Sequence, residues 1–220
     1  MAFGDSPTYP LTAPTYGVVD FNISMTARVV TSESPFTGAV QTYNLGAHYW
    51  SATVTLAPMK RENAVEWQTF FMKLKGRTGT FKMGSSDWAT ARGVWSSETN
   101  TAVISLADDH DAGVETIHIN EPTSLSSSST ARVGLKKGDM IELQDKLYMV
   151  TDDFSYTYGS GIFNIQPPLK VTIDSNTSTA NKTIKHNNAQ GLWRLDDPSV
   201  RWDVDKMQNY GLSFTCSEAF

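Results

Sequence analysis

Residues 34–41 read SPFTGAVQ, residues 46–50 read GAHYW, and residues 74–81 read LKGRTGTF. Each stretch places a glycine beside small or polar residues, as tight turns do. Aromatic residues accompany the glycines in all three. These stretches predict that strand, helix and turn follow one another between residues 34 and 81, with aromatic side chains at the junctions.

One amphipathic helix is predicted over residues 61–75. Its apolar side chains recur at spacings of three and four residues and so share one face: Ala64, Trp67, Phe71 and Leu74. Gly76 provides a C-terminal stop, whereas Lys60 stands where Ser, Thr or Asp would be a better cap, at a cost of about 1 kcal/mol. Burial of Trp67 and Phe71 against a sheet, at roughly 1.5–3 kcal/mol each, outweighs that cost.

Most of the remaining chain is predicted to be strand. Apolar residues alternate in residues 18–30 and in residues 51–56, as they do in half-buried strands. Further short strand patterns are separated by turn signals, at residues 79–83, 101–106, 116–119, 139–143, 146–150, 161–165, 191–195 and 210–216. The pattern predicts a fold that is mainly β with one α-helix.

The composition changes along the chain and predicts three parts. Residues 1–16 contain three prolines and are expected to form an extended arm, either disordered or ordered by a neighbouring subunit. Residues 17–106 together with residues 189–220 form an outer domain, whose last strands rejoin the first sheet because they need hydrogen-bonding partners. Residues 107–188 form a small inserted all-β domain.

The charge balance excludes several classes of function. The chain has 18 basic and 23 acidic residues, a net charge of −5, and no run of basic residues longer than two. Direct sequence-specific binding of nucleic acid and membrane insertion are therefore not expected, since the uncharged stretches are rich in Ser, Thr and Asn. The single cysteine, Cys216, excludes an internal disulfide and a cysteine-based zinc site, and favours folding in a reducing cytoplasm.

The densest group of potential metal ligands is the run Asp108, Asp109, His110 and Asp111. It does not match the spacing of a calcium loop and lacks the distal glutamate, so a solvated turn is the better interpretation. Ser160 lies between two glycines but outside a nucleophile elbow, and Cys216 has no histidine nearby in sequence. We therefore expect no catalytic residue, no cofactor and no metal, and we do not expect an enzyme.

Several short motifs follow one another in a recognisable order. They are SPFTG at residues 34–38, Gln41, Trp50, Pro58-Met59, Ala64, Trp67, Phe70, LKG at 74–76, GTF at 79–81, LKKGD at 135–139, LYMV at 147–150, Gly161, PPLK at 167–170, WRL at 193–195 and SFTCSEAF at 213–220. In this order the chain resembles the distal tail proteins (Dit-like) of long-tailed phages (siphophages) that infect Gram-negative bacteria. It departs from them at Lys60, where a Thr or Ser cap is expected, and matches loosely over residues 108–120.

The resemblance implies a β-sandwich belt domain with one helix that assembles into a homo-hexameric ring, and an inserted all-β domain of galectin- or OB-like type. The ring would join the tail tube protein to the baseplate hub or tail fibre protein in the virion tail, after assembly in the host cytoplasm. Four residues near the first motif are expected at the ring interface: Phe36, Gln41, Tyr49 and Trp50.

A carbohydrate-binding module is the alternative function. The run from Phe154 to Tyr158 places aromatic residues at alternate positions, where they would share one strand face and stack on sugar rings. In that case the inserted domain would contact host polysaccharide through Tyr148, Phe154, Tyr156 and Tyr158.

Overall fold

A computed structural model describes residues 7–93, 95, 104–120, 132–156, 160–174, 182–204 and 209–220. The chain forms two compact units. The first comprises Met1–Ser24, Trp50–Ser85 and Gln190–Phe220, and the second comprises Met25–Tyr49 and Ser86–Ala189. The described elements are strands and one α-helix, apart from a single 3₁₀ turn at Ser86–Trp88, so the predicted mainly-β class with one helix is confirmed.

The elements have the following bounds in chain order: β1 (Leu11–Thr12), β2 (Val18–Glu33), β3 (Val40–Met59), α1 (Arg61–Leu74), β4 (Phe81–Met83), β5 (Ser105–Leu106), β6 (Thr116–Asn120), β7 (Arg132–Leu135), β8 (Met140–Leu143), β9 (Lys146–Val150), β10 (Phe154–Tyr156), β11 (Ser160–Gln166), β12 (Gly191–Leu195), β13 (Trp202–Val204) and β14 (Tyr210–Glu218).

The first unit is built on one seven-stranded sheet. Its strand order is β1-β4-β12-β14-β3-β2, with β13 also paired to β14. Alternate residues of the two central strands are buried on one face: Ala52, Val54 and Leu56 of β3 lie opposite Cys216, Phe214 and Leu212 of β14. In the described residues this apolar face is covered by the helix rather than by a separate second sheet. The terminal strands rejoin the first sheet, as the sequence predicted.

Helix α1 matches its prediction closely. Trp67, which is 1% exposed, packs with its ring centroid 5.9 Å from that of Phe214, and the Phe71 ring lies 5.1 Å from the same partner. The side chain of Lys60 makes no capping hydrogen bond, whereas Lys75 ends the helix in the left-handed region. The aromatic stripe is therefore core, and its burial offsets the poor cap.

Residues 7–16 differ from the predicted arm because they pack on their own subunit. Leu11 and Thr12 pair in parallel with β4. The Tyr9 hydroxyl donates to the carbonyl of Lys73 at 2.8 Å, and Gly79 approaches the Tyr9 ring so closely that a Cβ there would lie 2.5 Å from it. The prediction that this segment is disordered or ordered only by a neighbour is therefore wrong for residues 7–16; residues 1–6 lie outside the described part.

The second unit contains a five-stranded sheet of order β5-β6-β11-β9-β8 and a separate pair formed by β7 and β10. Strands β6 and β11 are antiparallel, with Ile117 opposite Phe163. The core is aliphatic and aromatic, and its members include Trp95, Ile104, Leu106, Ile117, Ile119, Leu135, Ile141, Leu143, Tyr148, Val150, Phe154, Phe163 and Ile165. Both sheets thus share one hydrophobic core.

The inserted segment of the second unit starts at Ser86, earlier than the predicted boundary at residue 107. Trp95, Ile104 and Leu106 belong to its core, so these residues fall with the insertion and not with the outer domain. The ends of the insertion are tied together: the Trp88 indole donates to the carbonyl of Ala189 at 3.0 Å, and Ala91 N donates to Asn187 Oδ1 at 3.1 Å. The predicted end at residue 188 is one residue from Ala189.

Candidate functional site

The most unusual surface is a two-stranded ribbon formed by residues 25–47, the outer parts of β2 and β3. Every residue of the ribbon is exposed except Ser34, which is half-buried, although side chains in a strand point alternately to two faces. Half of the large apolar side chains exposed in the described residues belong to it: Met25, Val29, Val30, Phe36, Val40, Tyr43 and Leu45. Neither face of the ribbon is therefore covered by the part of the chain that the structure describes.

The edges of the ribbon are also open. β2 is the last strand of its sheet, so nothing in the described residues pairs with its outer edge between residues 25 and 33. On the other side, β14 pairs with β3 only from Ser51 to Met59, which leaves the outer edge of residues 40–49 without a partner strand in the described chain. Lysine and proline, which natural proteins use to block strand pairing, do not occur in β2.

The tip of the ribbon is a well-formed turn. Ser34 N donates to the carbonyl of Ala39, and Gly38 N donates to the carbonyl of Ser34, both at 2.9 Å. Gly38 has φ 67°, which a side chain would strain. The turn presents Phe36 with 95% of its surface exposed. The hydrogen bonds of the turn hold its backbone while the Phe36 ring stays in solvent.

The four predicted interface residues fall into two groups. Phe36 and Gln41 lie on the ribbon, and Tyr49 is half-buried just beyond it, with the Arg28 guanidinium 5.7 Å from its ring centroid. Trp50 is 4% exposed and shares the buried face of β3 with Ala52. The prediction of Trp50 as an interface residue is therefore wrong, because the register of β3 turns its ring into the core of the subunit.

Two of the four predicted glycan contacts are buried. Tyr148 is 1% and Phe154 2% exposed, and both belong to the core of the second unit. The prediction is wrong for these two, because a buried ring cannot stack on a sugar. Tyr156 pairs with Arg132 through its backbone, its side chain is outside what the structure describes, and Tyr158 lies outside the described residues. Those two stay predictions.

The run around His110 is a hydrogen-bonded turn. Nδ1 of His110 lies 2.8 Å from the carbonyl oxygen of Asp108, which can only accept, so the proton is assigned to Nδ1. Nε2 accepts the backbone N–H of His118 at 2.8 Å, and Nδ1 of His118 lies 2.8 Å from the Asp108 carboxylate. Both nitrogens of His110 are therefore used within the fold, and no group of three potential metal ligands occurs in the described residues.

Cys216 is buried between strands. Burial, followed by the negative charge of Asp196, raises the pKa of its thiol well above the usual range. A thiol that stays protonated at neutral pH is a poor nucleophile, which agrees with its interpretation as a small core side chain.

A structural role that the sequence did not reveal belongs to Asp139, in the LKKGD motif. Its buried carboxylate accepts Lys136 N at 2.8 Å, Arg92 N at 3.1 Å and Arg92 Nε at 2.8 Å. The bond to Asp139 raises the pKa of Arg92 above its ordinary value. Asp139 thus joins its own turn to the distant segment around Arg92, and no local sequence pattern predicts such a contact.

No known protein family matches the chain, and no curated protein matches its sequence. In the described residues, α1 is too short and too polar to cross a bilayer, and no other helix qualifies. The function is therefore proposed from the geometry of the ribbon together with the resemblance.

Proposed function

We propose that this protein is a structural subunit of a phage tail tip, similar to distal tail proteins, that forms a hexameric ring joining the tail tube to the baseplate hub or tail fibre. The observation that carries the proposal is the ribbon, with two uncovered faces and two open edges. Its partners would be further copies of the chain, the tail tube protein, and the hub or fibre protein.

The ribbon is a poor structure for an isolated subunit. A two-stranded hairpin is marginal in water, and stability normally needs a third strand or a packed face. Residues 25–33 extend about 30 Å at 3.4 Å per residue, and apolar side chains occur on both faces, Val29 and Val30 among them. Cover from another molecule would bury these side chains and stabilise the ribbon.

The two open edges favour other copies of the same chain as the molecules that cover the ribbon. The outer edge of β2 in one copy and the outer edge of residues 40–49 in the next are different surfaces, so their pairing is heterologous, and heterologous contacts close into rings when the rotation permits. Because β2 and β3 run in opposite directions, copies related by rotation about an axis along the strands would pair antiparallel. The number six comes from the resemblance.

The mass of the purified protein at micromolar concentration tests the proposal, followed by negative-stain imaging of the same sample. A hexamer with a central hole is expected. If the protein is monomeric, isolated tail tubes of a siphophage are added and sedimented. A chain that neither forms rings nor binds to tube ends would contradict the proposed function.

Carbohydrate binding through the second unit is the other candidate, and it now depends on Tyr156 and Tyr158. Glycan-array binding by the intact chain, lost in Tyr156→Ala and Tyr158→Ala, is the result expected from it. Binding retained in both variants would refute this role for the two tyrosines.

A further inference from the structure

A groove of about 620 Å³ lies on the sheet of the first unit, on the face opposite α1. This volume is within the range of small-molecule sites, roughly 300–1,000 Å³. Strands β3 and β14 form the floor of the groove, and the loop that follows β12 forms its rim. The register places Thr53 opposite Thr215 and Thr55 opposite Ser213, and all four side chains are exposed. The floor therefore presents cross-strand pairs of hydroxyl groups.

The fold does not use the hydroxyl groups of the floor. None of them makes a side-chain hydrogen bond to the part of the chain that the structure describes. The hydroxyl groups just outside the groove differ, because Ser51 Oγ lies 2.9 Å from Ser24 Oγ and Ser217 Oγ donates to Asp196 Oδ1 at 2.6 Å. The floor is thus the part of this face whose hydrogen-bonding capacity is open to a ligand.

The rim of the groove adds charged groups of both signs. The Asp197 carboxylate is engaged by its own loop, where it accepts the N–H and O–H of Ser199 at 2.8 and 2.7 Å, and these bonds hold the pKa of its carboxyl below the ordinary value. The side chains of Arg201 and Asp203 are exposed and make no hydrogen bond to the described residues. One guanidinium and one carboxylate are therefore available at the rim, which favours a neutral ligand over a polyanion or a polycation.

We propose that this groove binds a short neutral oligosaccharide. Sugar hydroxyl groups donate and accept hydrogen bonds, so they can pair with the hydroxyl groups of the floor, with Asp203 as an acceptor and with Arg201 as a donor. Pro58 and Val200 add apolar surface to the groove, against which the C–H groups of a sugar ring can pack. The inference goes beyond the proposed function, since the groove belongs to a single copy of the chain, and it differs from sugar binding through the second unit.

The lining of the groove also sets the expected affinity. No tryptophan or tyrosine occurs among the described residues that line it, and the Phe214 ring packs against Trp67 beneath the sheet. Because hydrogen bonds to a sugar replace hydrogen bonds to water, each adds little net affinity. A single groove should therefore bind with a Kd on the order of 1 mM, and acidic sugars should bind less well because the carboxylates of Asp197 and Asp203 repel them.

An array of neutral and acidic oligosaccharides, probed with the intact chain, tests the proposal. The neutral oligosaccharide that gives the strongest signal is then titrated by saturation-transfer NMR. Asp203→Asn and Arg201→Gln should each weaken binding at least about 10-fold, since each removes a charge-assisted hydrogen bond. Thr53→Val, which keeps the branched shape and removes one hydroxyl group, should weaken it about 3-fold. Asp111→Asn, at an exposed carboxylate of the second unit, is the control and should leave binding unchanged.

Three results would overturn the inference. The first is an array on which no oligosaccharide is bound, and the second is binding of acidic oligosaccharides alone. The third is binding that persists in Asp203→Asn and Arg201→Gln but is lost in Tyr156→Ala and Tyr158→Ala, which would assign the sugar to the second unit. Unchanged melting temperatures show that the variants are folded, and the mass of the wild-type chain tests the ring independently of all three results.

Discussion

The two halves of strand β3 share one backbone but have opposite environments. From His48 to Leu56, alternate side chains are buried, and those of Trp50, Val54 and Leu56 are almost completely removed from solvent. From Val40 to Ala47, every side chain is exposed. One strand thus passes from a core that its own subunit completes into a ribbon that its own subunit leaves open.

The difference shows what a subunit can stabilise alone. The inner half of β3 gains β14 as a neighbour and α1 as a cover, and both come from the same chain. The outer half has only β2 beside it in the described residues. The exposed apolar side chains of the outer half are the ones that the proposed assembly would cover. If it does, changes in the two halves should have separable effects on stability and assembly.

The largest expected effect is in the buried half. Trp67→Ala should lower the free energy of unfolding of the first unit by about 3–5 kcal/mol, because a large ring is removed and a cavity remains beside Phe214. Thermal unfolding measures the change, with Met72→Ala on the exposed side of the same helix as the control. The control should shift stability by less than about 0.5 kcal/mol. Equal melting temperatures for Trp67→Ala and wild type would show that Trp67 does not contribute to the core of the first unit.

Deletion of residues 1–16 should have the next largest effect. The chain then loses β1 and the Tyr9–Lys73 bond, and the Trp67 indole loses its acceptor, the carbonyl of Tyr16. We expect about 2–4 kcal/mol of destabilisation, since a buried donor left without a partner costs about 1–3 kcal/mol and the lost bonds add to it. Urea unfolding of the truncated chain measures the change. An unchanged midpoint would show that the segment adds nothing to stability, as expected of a free arm.

These regions also show how far the sequence could be interpreted. Helix α1 was predictable because its apolar spacing is local and repeated, and it begins at Arg61 as expected. The burial of Trp50 was missed because an aromatic beside a turn suits both a core and an interface, and only the register of β3 with β14 separates the two. The boundary at residue 107 was placed too late because nothing near Trp95 indicates which of two cores receives it.

The candidate site was predictable only in part, for a related physical reason. Phe36 and Gln41 were named from the turn motif that contains them, and both lie exposed on the ribbon; their interface role stays a prediction. The open edges of the ribbon, in contrast, depend on which strands lie beside β2 and β3. Pairing over long sequence separations leaves no periodic signal within any one segment.

A smaller effect is expected at Tyr16, which is half-buried and donates a hydrogen bond to the carbonyl of Asn63 in α1. Desolvation by burial, followed by the hydrogen bond of the phenol to the Glu66 carboxylate and by the charge of that carboxylate, raises the pKa of Tyr16 to about 12. A raised pKa means that the folded state favours the neutral phenol. Its contribution is therefore complete below the ordinary value near 10 and is lost as the pH rises towards 12.

Tyr16→Phe should lower stability by about 1 kcal/mol at neutral pH, through loss of the bond to the carbonyl of Asn63. The difference between wild type and variant should shrink above pH 10. Phenolate absorbance provides a second measurement, since the wild-type minus variant titration should have its midpoint near 12 and Glu66→Gln should lower it. A midpoint near 10 in the difference curve would show that the fold does not raise the pKa of this phenol.

The smallest effect on stability is expected in the ribbon. Val29→Lys places a charge on a side chain that is already 44% exposed, so the free energy of unfolding of the monomer should change by less than about 0.5 kcal/mol. In the ring the same lysine would be forced against a neighbouring copy and desolvated, so assembly should fall sharply.

Val171→Lys, at an exposed valine of the second unit outside the ribbon, is the matched control. Light scattering measures the mass of both variants and calorimetry their melting temperatures. Loss of rings in Val29→Lys alone, at unchanged melting temperature, would separate assembly from folding along a single strand; equal assembly of both variants would instead assign the exposed valine of β2 to ordinary surface.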